Sequence, residues 1–447
     1  MAQLPIFIAA DYTSNRTGFQ GFLLFAALRG SILGDKCGTP GMDEERGANA
    51  AWRMASWEGR DIMCRSWFIS GSVTIILLVC PSVLADLTAS FQGLGDLPEG
   101  TYESRAHGIS ADGRVVVGSS QGPTQTAFRW EDGVMTSLGR LPGGSASYAR
   151  AVSADGSVVA GDGQSASGYE AFRWQGGTMV GLGDLPGDGY TSYGNAISSD
   201  GRVVVGQGLS SEGMEAFRWE DGRMVGLGSL SGSHSSRAFG VSADGSVVVG
   251  QSNNRAFQWT ASDGMNPLSN LPYGGGFSSA TAISADGSVI VGWAGDPTDI
   301  YGNKEAFRWE NGNVIGLGDL PGGLFYSLAN DVSADGSVIV GWSTRFAGLV
   351  EGREDAFIWD EDHGMRSLLE VLTEEYGLDL TGWKLYNATA ISDDGLSIVG
   401  FGINPDGYHE GWIARLPEPS VVPLPGAVLL GMLGLGYAGM RLRRQAS

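Results

Sequence analysis

The stretch AFRWEDGRMVGLGSLSGSHSSRAFGVSADGSVVVG (216–250) decides how this chain folds. Its opening Ala216-Phe217-Arg218-Trp219 alternates, which puts Phe217 and Trp219 on one face of a strand and Arg218 on the other. Asp221-Gly222 then turns into a second strand-sized piece, Met224 to Leu230. Further on, a short run leads into Val241-Ser242. After Asp244-Gly245 comes Val247-Val248-Val249, a continuous apolar run that suits a strand buried on both faces. The stretch therefore reads as strands separated by Asp-Gly turns, the dipeptide that supplies positive φ in tight hairpins.

The same pieces recur on both sides. Ser-x-Asp-Gly starts at Ser110, Ser153, Ser198, Ser242, Ser284, Ser333 and Ser392, at steps of 43, 45, 44, 42, 49 and 59 residues. Ala-Phe-Arg-Trp or a close variant follows at Ala127, Ala171, Ala216, Ala256, Ala306 and Ala356, with a degenerate seventh copy, Gly411-Trp412-Ile413-Ala414. Leu-Gly-x-Leu-Pro appears at Leu94, Leu138, Leu182 and Leu317, and loosely at Leu227 and Leu268. Four antiparallel strands in about 44 residues is the spacing of a propeller blade; a β-helix coil has a shorter period. The expected fold is all-β: a seven-bladed β-propeller of four-stranded antiparallel blades over residues 86–416. Phe91 to Leu97 is a fourth-strand element with no first strand before it, and the last repeat stops after its third strand at Arg415. The N-terminal strand is thus expected to close the last blade and protect its edge. In the sixth repeat, Leu368 to Tyr376 reads as a short helix in place of a fourth strand.

With Ser-Ala-Asp-Gly-Ser-Val, Glu-Ala-Phe-Arg-Trp and Leu-Gly-Asp-Leu-Pro-Gly-Gly as its diagnostic pieces, Leu94 to Arg415 resembles the HAF family of extracellular repeats. The resemblance implies an extracellular location and no defined activity.

Of 447 residues, 72 are glycine and 42% are hydrophobic, a balance that fits β-structure rich in turns. Between Asp86 and Pro419 there are 42 acidic and 18 basic residues, a balance of −24 that repels a phosphate backbone and argues against nucleic acid as a partner. Cys37, Cys64 and Cys80 all precede the repeats, so the repeat region has neither a disulfide nor a cysteine metal site.

Both ends read as addresses. Residues 63–85 have the layout of a secretory signal: Arg65, an apolar run from Trp67 to Val79, then Pro81 and Val83-Leu84-Ala85, with cleavage expected after Ala85. Residues 1–62 show no repeat and no periodicity, which suggests a start assigned too far upstream, with Met54 or Met63 as the real one. N-terminal sequencing of the exported protein tests this; any peptide from residues 1–50 refutes it. At the other end Pro417-Glu418-Pro419 leads into an apolar span, 421–440, closed by Arg441, Arg443 and Arg444. Physically this is a membrane-spanning tail with a cytoplasmic C-terminus. In order and content residues 417–447 resemble the PEP-CTERM sorting signal of Gram-negative bacteria, and Val422-Pro423-Leu424-Pro425-Gly426-Ala427 resembles its VPLPA variant. That resemblance implies an exosortase as partner, removal of the tail, and delivery to the cell surface or an extracellular polysaccharide matrix.

Catalytic patterns are lacking. His107, His234, His363 and His409 fall in different repeats, and there is no HExxH, nucleophile elbow or phosphate-cradling loop. The Asp of each Ser-x-Asp-Gly reads as a turn residue more readily than as a calcium ligand, because an EF-type loop needs several oxygens at alternate positions. Glu374-Glu375 and Asp393-Asp394 are sequence neighbours, although carboxylates far apart in sequence can still meet in three dimensions. No cofactor, metal or catalytic residue is expected.

The blade-to-blade connections offer a better lead, being rich in aromatics: Tyr102, Tyr148, Tyr190, Tyr193, Phe277, Phe325 and Tyr326. The connections between second and third strands vary from five residues (Gln251 to Arg255) to 14 (Trp342 to Asp355), and place Trp293, Tyr301 and Trp342 on long loops. Variable loops on a rigid scaffold are where binding lives. These rings form either a ligand face at the channel mouth or packing between blades, as aromatics do in β-cores. The expected role is non-catalytic binding or architecture, with exopolysaccharide or a surface protein as partner. The alternatives are a polysaccharide-acting enzyme at the channel mouth and a purely structural matrix filler.

Overall fold

In a computed structural model of the chain the described residues are 88–98, 103–187, 189–230, 235–269, 271, 277–295, 303–347 and 350–418, with the side chains of 323–325, 345–347 and 350–353 left aside. The upstream segment, the signal with Ala85, and the tail from Pro419 onward, including 421–440 and Arg441, Arg443 and Arg444, lie outside them. Among the described residues no helix is long and apolar enough to cross a membrane.

Each repeat forms one four-stranded antiparallel ladder with its strands side by side in chain order. The second is typical: an inner strand Ser147–Val152, then Val158–Gln164, Tyr169–Gln175 and an outer strand Thr178–Gly181. The fifth and sixth ladders are linked at one parallel pair, Lys304 opposite Tyr326. The seventh takes its outer strand from the N-terminus: Ser90–Gly93 pairs antiparallel with His409–Arg415, Ser90 opposite Arg415. The expectation for the terminal strand is met.

Local chemistry explains each piece. In the outer hairpins of the first, second, third and fifth ladders both central residues have positive φ, as in 49° at Asp221 and 81° at Gly222, so the turn twists with its strands. The Ser-x-Asp-Gly turn differs, because only its glycine is left-handed. There the Ser153 hydroxyl donates to Asp155 (2.7 Å) and accepts from the Val158 N–H (3.0 Å), while Asp155 also accepts from the Ser157 N–H (3.0 Å). These bonds, that from Ser153 foremost, hold the Asp155 carboxyl below its usual range. The glycine that follows the apolar run within each second strand answers a steric demand: a Cβ on Gly206 would lie 1.9 Å from the Tyr193 carbonyl oxygen.

One apolar cluster lies between each successive pair of ladders. Phe217 packs with Ala160, Ala171, Leu182 and Val204, and the cluster of Leu94, Ala390, Val399 and Ile413 with Ala106 and Phe128 joins the seventh ladder to the first. Polar staples cross the same interfaces. Ser192 at the head of an inner strand accepts from the Ala171 N–H (3.0 Å) and donates to the Gly183 carbonyl (2.8 Å) of the ladder before it. Arg218 donates to the Gly245 carbonyl in the next Ser-x-Asp-Gly turn (3.1 Å) and pairs with Glu220 (2.7 Å). Arg129, Arg173 and Arg308 repeat this clamp, and Arg415 reaches Gly113 from the seventh ladder (3.2 Å). Backbone bonds link the same turns in series: Ala111 N–H to Ala154 O, then Ala154 to Ser199, Ala243, Ala285, Ala334 and Asp393. Asp393 donates back to Ala111 O (3.2 Å), where the series began.

Two expectations are corrected. The sixth repeat has a fourth strand, Gly364–Ser367, and the helical turns (Leu368–Glu370, then Val371–Glu375) follow it rather than replace it; Leu368, Val371 and Leu372 are buried against the seventh ladder. Trp293 and Trp342 are not on loops. Both sit in second strands, because the hairpin containing Trp342 stays paired out to Ala347 opposite Val350.

Candidate functional site

Every inner strand carries a β-bulge at the same place, and those of the sixth and seventh ladders have a second register shift before it. Register shifts leave His107, Arg150, Asn195, Phe239, Thr281, Asn330 and Thr389 without a partner on the adjoining strand. A bulge re-aims its extra side chain, and all seven line one central cavity of about 300 Å³. The flanking residues are small, Ala or Gly almost throughout, so the bulge residues set the chemistry of the wall.

That wall has two halves. Asn195, Thr281, Asn330 and Thr389 each donate to a backbone carbonyl of the next ladder, at Ala238, Ala329, Ala388 and Ala106 (2.8, 2.7, 2.7 and 3.0 Å). These four are structural. His107 and Arg150 turn back to their own ladders instead. His107 Nε2 lies 3.3 Å from Ser119 Oγ, and Arg150 Nε donates to Asp162. His107 is half-buried in the channel wall, and desolvation there, helped by the charges of Arg150 and Arg105, lowers its pKa to about 3. Its ring is therefore neutral. Asp162 is 1% exposed, and burial raises its pKa against the opposing pull of Arg150.

In the sixth and seventh ladders two carboxylates interrupt rings of small residues. Asp331 stands where the other repeats have Gly or Ala, and Asp393 where they have Ala or Ser. Asp331 accepts from the N–H groups of Ile391 and Val332 (both 2.9 Å). Burial, with a further push from Asp393, still raises its pKa to about 7. The wall of the cavity thus carries the cation Arg150 and the carboxyl groups of Asp331 and Asp393.

The aromatic residues named from the sequence divide. Tyr148, Tyr193 and Tyr326 lie in inner strands and, like Trp293 and Trp342, are half-buried. Tyr326 packs on Trp342 (5.4 Å between centroids) and Lys304 Nζ sits 4.1 Å from the Trp293 ring. Tyr193 stacks on Tyr169 at 5.8 Å. Tyr190 and Phe277 are exposed, at 66% and 41%. Tyr102, Tyr301 and the side chain of Phe325 lie outside the described residues. None of the ten lines the central cavity among the described residues. Pro417 and Glu418 follow the last strand without regular structure. Among the described residues no group of three His, Cys, Asp or Glu could hold a metal ion.

Sequence reasoning missed the bulge residues, because seven different surroundings fill that position with His, Arg, Asn, Phe and Thr. Their one signal is the framing by small residues, as in Ala149-Arg150-Ala151.

No known protein family and no curated protein matches the chain. Among solved structures it is similar to TolB from Acinetobacter baumannii, at 15% identity and a TM-score of 0.39, over 58% of this chain and 64% of that one. It thus spans less than two thirds of that protein. It is also similar to the hydrazine synthase of Kuenenia stuttgartiensis, at 14% identity and a TM-score of 0.40, over 70% of this chain and 94% of that one.

Proposed function

We propose that this chain is an exported surface or matrix protein built on a closed seven-bladed β-propeller whose role is binding or architecture, not catalysis. One observation carries the reading. The residues that define the repeat are engaged in building its ladder (Ser and Asp of the turn, Gly of the second strand) or in joining it to the next (Phe and Arg of the third strand), whereas the bulge residues that vary face the channel. The returning series of backbone bonds and the cluster between the seventh ladder and the first support closure. Export rests on residues 63–85 and on the tail 417–447, which resembles an exosortase substrate. Exopolysaccharide or a surface protein is the proposed partner. The test is saturable binding of the purified protein to matrix polysaccharide from the producing bacterium, alongside a glycan array. A folded protein that binds neither shifts the role to a protein partner or a structural filler.

A second reading is favoured by Asp331 and Asp393. A carboxyl held near pH 7 beside another carboxyl is a pattern found at general acids, so the same cavity is the place for polysaccharide cleavage. Release of reducing ends from matrix polysaccharide, abolished by Asp331→Asn, supports that reading; no release leaves the binding role.

A further inference from the structure

We infer that the junction of the second and third ladders at the channel rim is a subsite for a carboxylate-bearing sugar unit of a polysaccharide, built on the guanidinium of Arg150 with Tyr148, Tyr169 and Tyr193 near it and Tyr190 exposed on the connection that joins the two ladders. The inference rests on the binding role proposed above and names its ligand class.

Arg150 is the first reason. The other arginines of its kind in the interfaces spend their forks on carbonyls of the next turn and on a glutamate. Arg150 instead uses only Nε, on Asp162, and its side chain is 40% exposed. Asp162 itself is buried, at the position that holds Ser119, Gln207, Gln251, Trp293, Trp342 or Phe401 in other repeats. A buried carboxylate is unfavourable without a partner, and here it orients one guanidinium. Both Nη groups are left as parallel donors with no other hydrogen bond among the described residues. That fork matches a carboxylate.

The rings are the second reason. Tyr148 sits directly opposite Asp162 in the register, and Tyr169, 38% exposed, stacks on Tyr193 at 5.8 Å and 27°. Tyr190 is 66% exposed, and its backbone is held close: a Cβ on Gly168 would come within 2.3 Å of its carbonyl oxygen, and Thr191 bridges to Tyr169. Phenol faces of this kind take the C–H face of a sugar while their hydroxyls reach its oxygens. The third reason is charge. With a balance of −24 over residues 86–419, an anionic polymer needs a local positive site. Arg105 on the first ladder is already paired with Glu103 (3.1 Å), so the half-exposed Arg150 supplies the donors here.

The test uses the full chain with alginate as the polyuronate and dextran as the neutral control, by affinity electrophoresis and calorimetry. Alginate is expected to bind and dextran to bind weakly or not at all. Tyr190→Ala and Tyr169→Ala should each weaken alginate binding about fivefold. Arg150→Lys, which keeps the charge beside Asp162 but loses the fork, should weaken it about tenfold with the melting temperature little changed. Because Tyr190 is exposed, its variant stays informative if Arg150→Lys disturbs folding. Alginate binding unchanged in Tyr190→Ala and Tyr169→Ala overturns the subsite while leaving the binding role intact. Equal binding to dextran overturns the choice of ligand. No binding to alginate overturns the subsite, and the matrix-polysaccharide experiment then decides the wider role.

Discussion

Ser192 shows how much one hydroxyl does in this fold. It satisfies a buried N–H of the preceding third strand and a carbonyl of the following connection, so a 0%-exposed serine ties two ladders together. Ser192→Ala should destabilise by ~1–3 kcal/mol, because the Ala171 N–H is left buried and unpaired; urea denaturation measures this. A loss within error would mean that water replaces the hydroxyl. The two perturbed channel groups give stability a dependence on pH of opposite sign. His107 is held neutral, with a folded pKa of about 3 below its ordinary 6.5. Its contribution is therefore present above that ordinary value and lost as pH falls toward 3. Asp331 is raised to about 7 from 3.8, so its contribution is present at low pH and lost as pH rises from about 4 through 7. Melting temperatures across pH 3–9 should show Asp331→Asn flattening the upper limb and His107→Gln the lower. Unaltered curves in both variants would show that neither group titrates as argued.

At the level of the strand, the alternation in Ala-Phe-Arg-Trp fixed the right faces, and the structure adds unequal burial along the repeat. The phenylalanines are fully buried in the six copies that have one, as is Trp412 at the same position of the seventh, whereas at the Trp position Trp130 and Trp359 are 2% and 7% exposed and Trp219 is only half-buried. Trp130→Ala should cost ~3–5 kcal/mol, within the range for core Trp to Ala, and Trp219→Ala distinctly less; thermal melts of the two variants check the order. Equal losses would show that this position is packed as tightly in the third repeat as in the first. The four-strand order, the turns and the terminal strand were legible because each has a local chemical cause. The bulge was not, since an extra residue in a ladder leaves the alternation of small residues nearly intact and its identity changes in every repeat. The extended hairpin at Trp342 was hidden for a related reason: Ser343 to Arg353 has the polar, mixed composition of a loop yet finds a partner strand in its own second half.

For the molecule as a whole, the ends of the repeat region decide the architecture. Sequence alone could show that a strand was left over at the start and missing at the end, because that is a matter of counting motifs. The site was less legible: Arg150 and Asp162 come from adjacent strands, Tyr193 from the next ladder, and Asp331 and Asp393 from the two ladders that lead to closure, so only the assembled fold brings them near one channel. If closure is what unites them, it depends on Ser90–Gly93. This strand covers the edge of His409–Arg415, and Leu94 behind it is 5% exposed in the cluster that joins the seventh ladder to the first. Deleting residues 86–97 should strip that edge, remove the buried Leu94 and expose a strand ready to pair with another chain. A stability loss of at least ~3 kcal/mol is expected from the apolar contacts alone, together with concentration-dependent association visible by light scattering. A synthetic peptide of residues 86–97 added in excess should restore the monomer and raise its melting temperature, since it binds only the folded state. A truncated protein that stays monomeric and equally stable would show that the first and seventh ladders hold together without the strand.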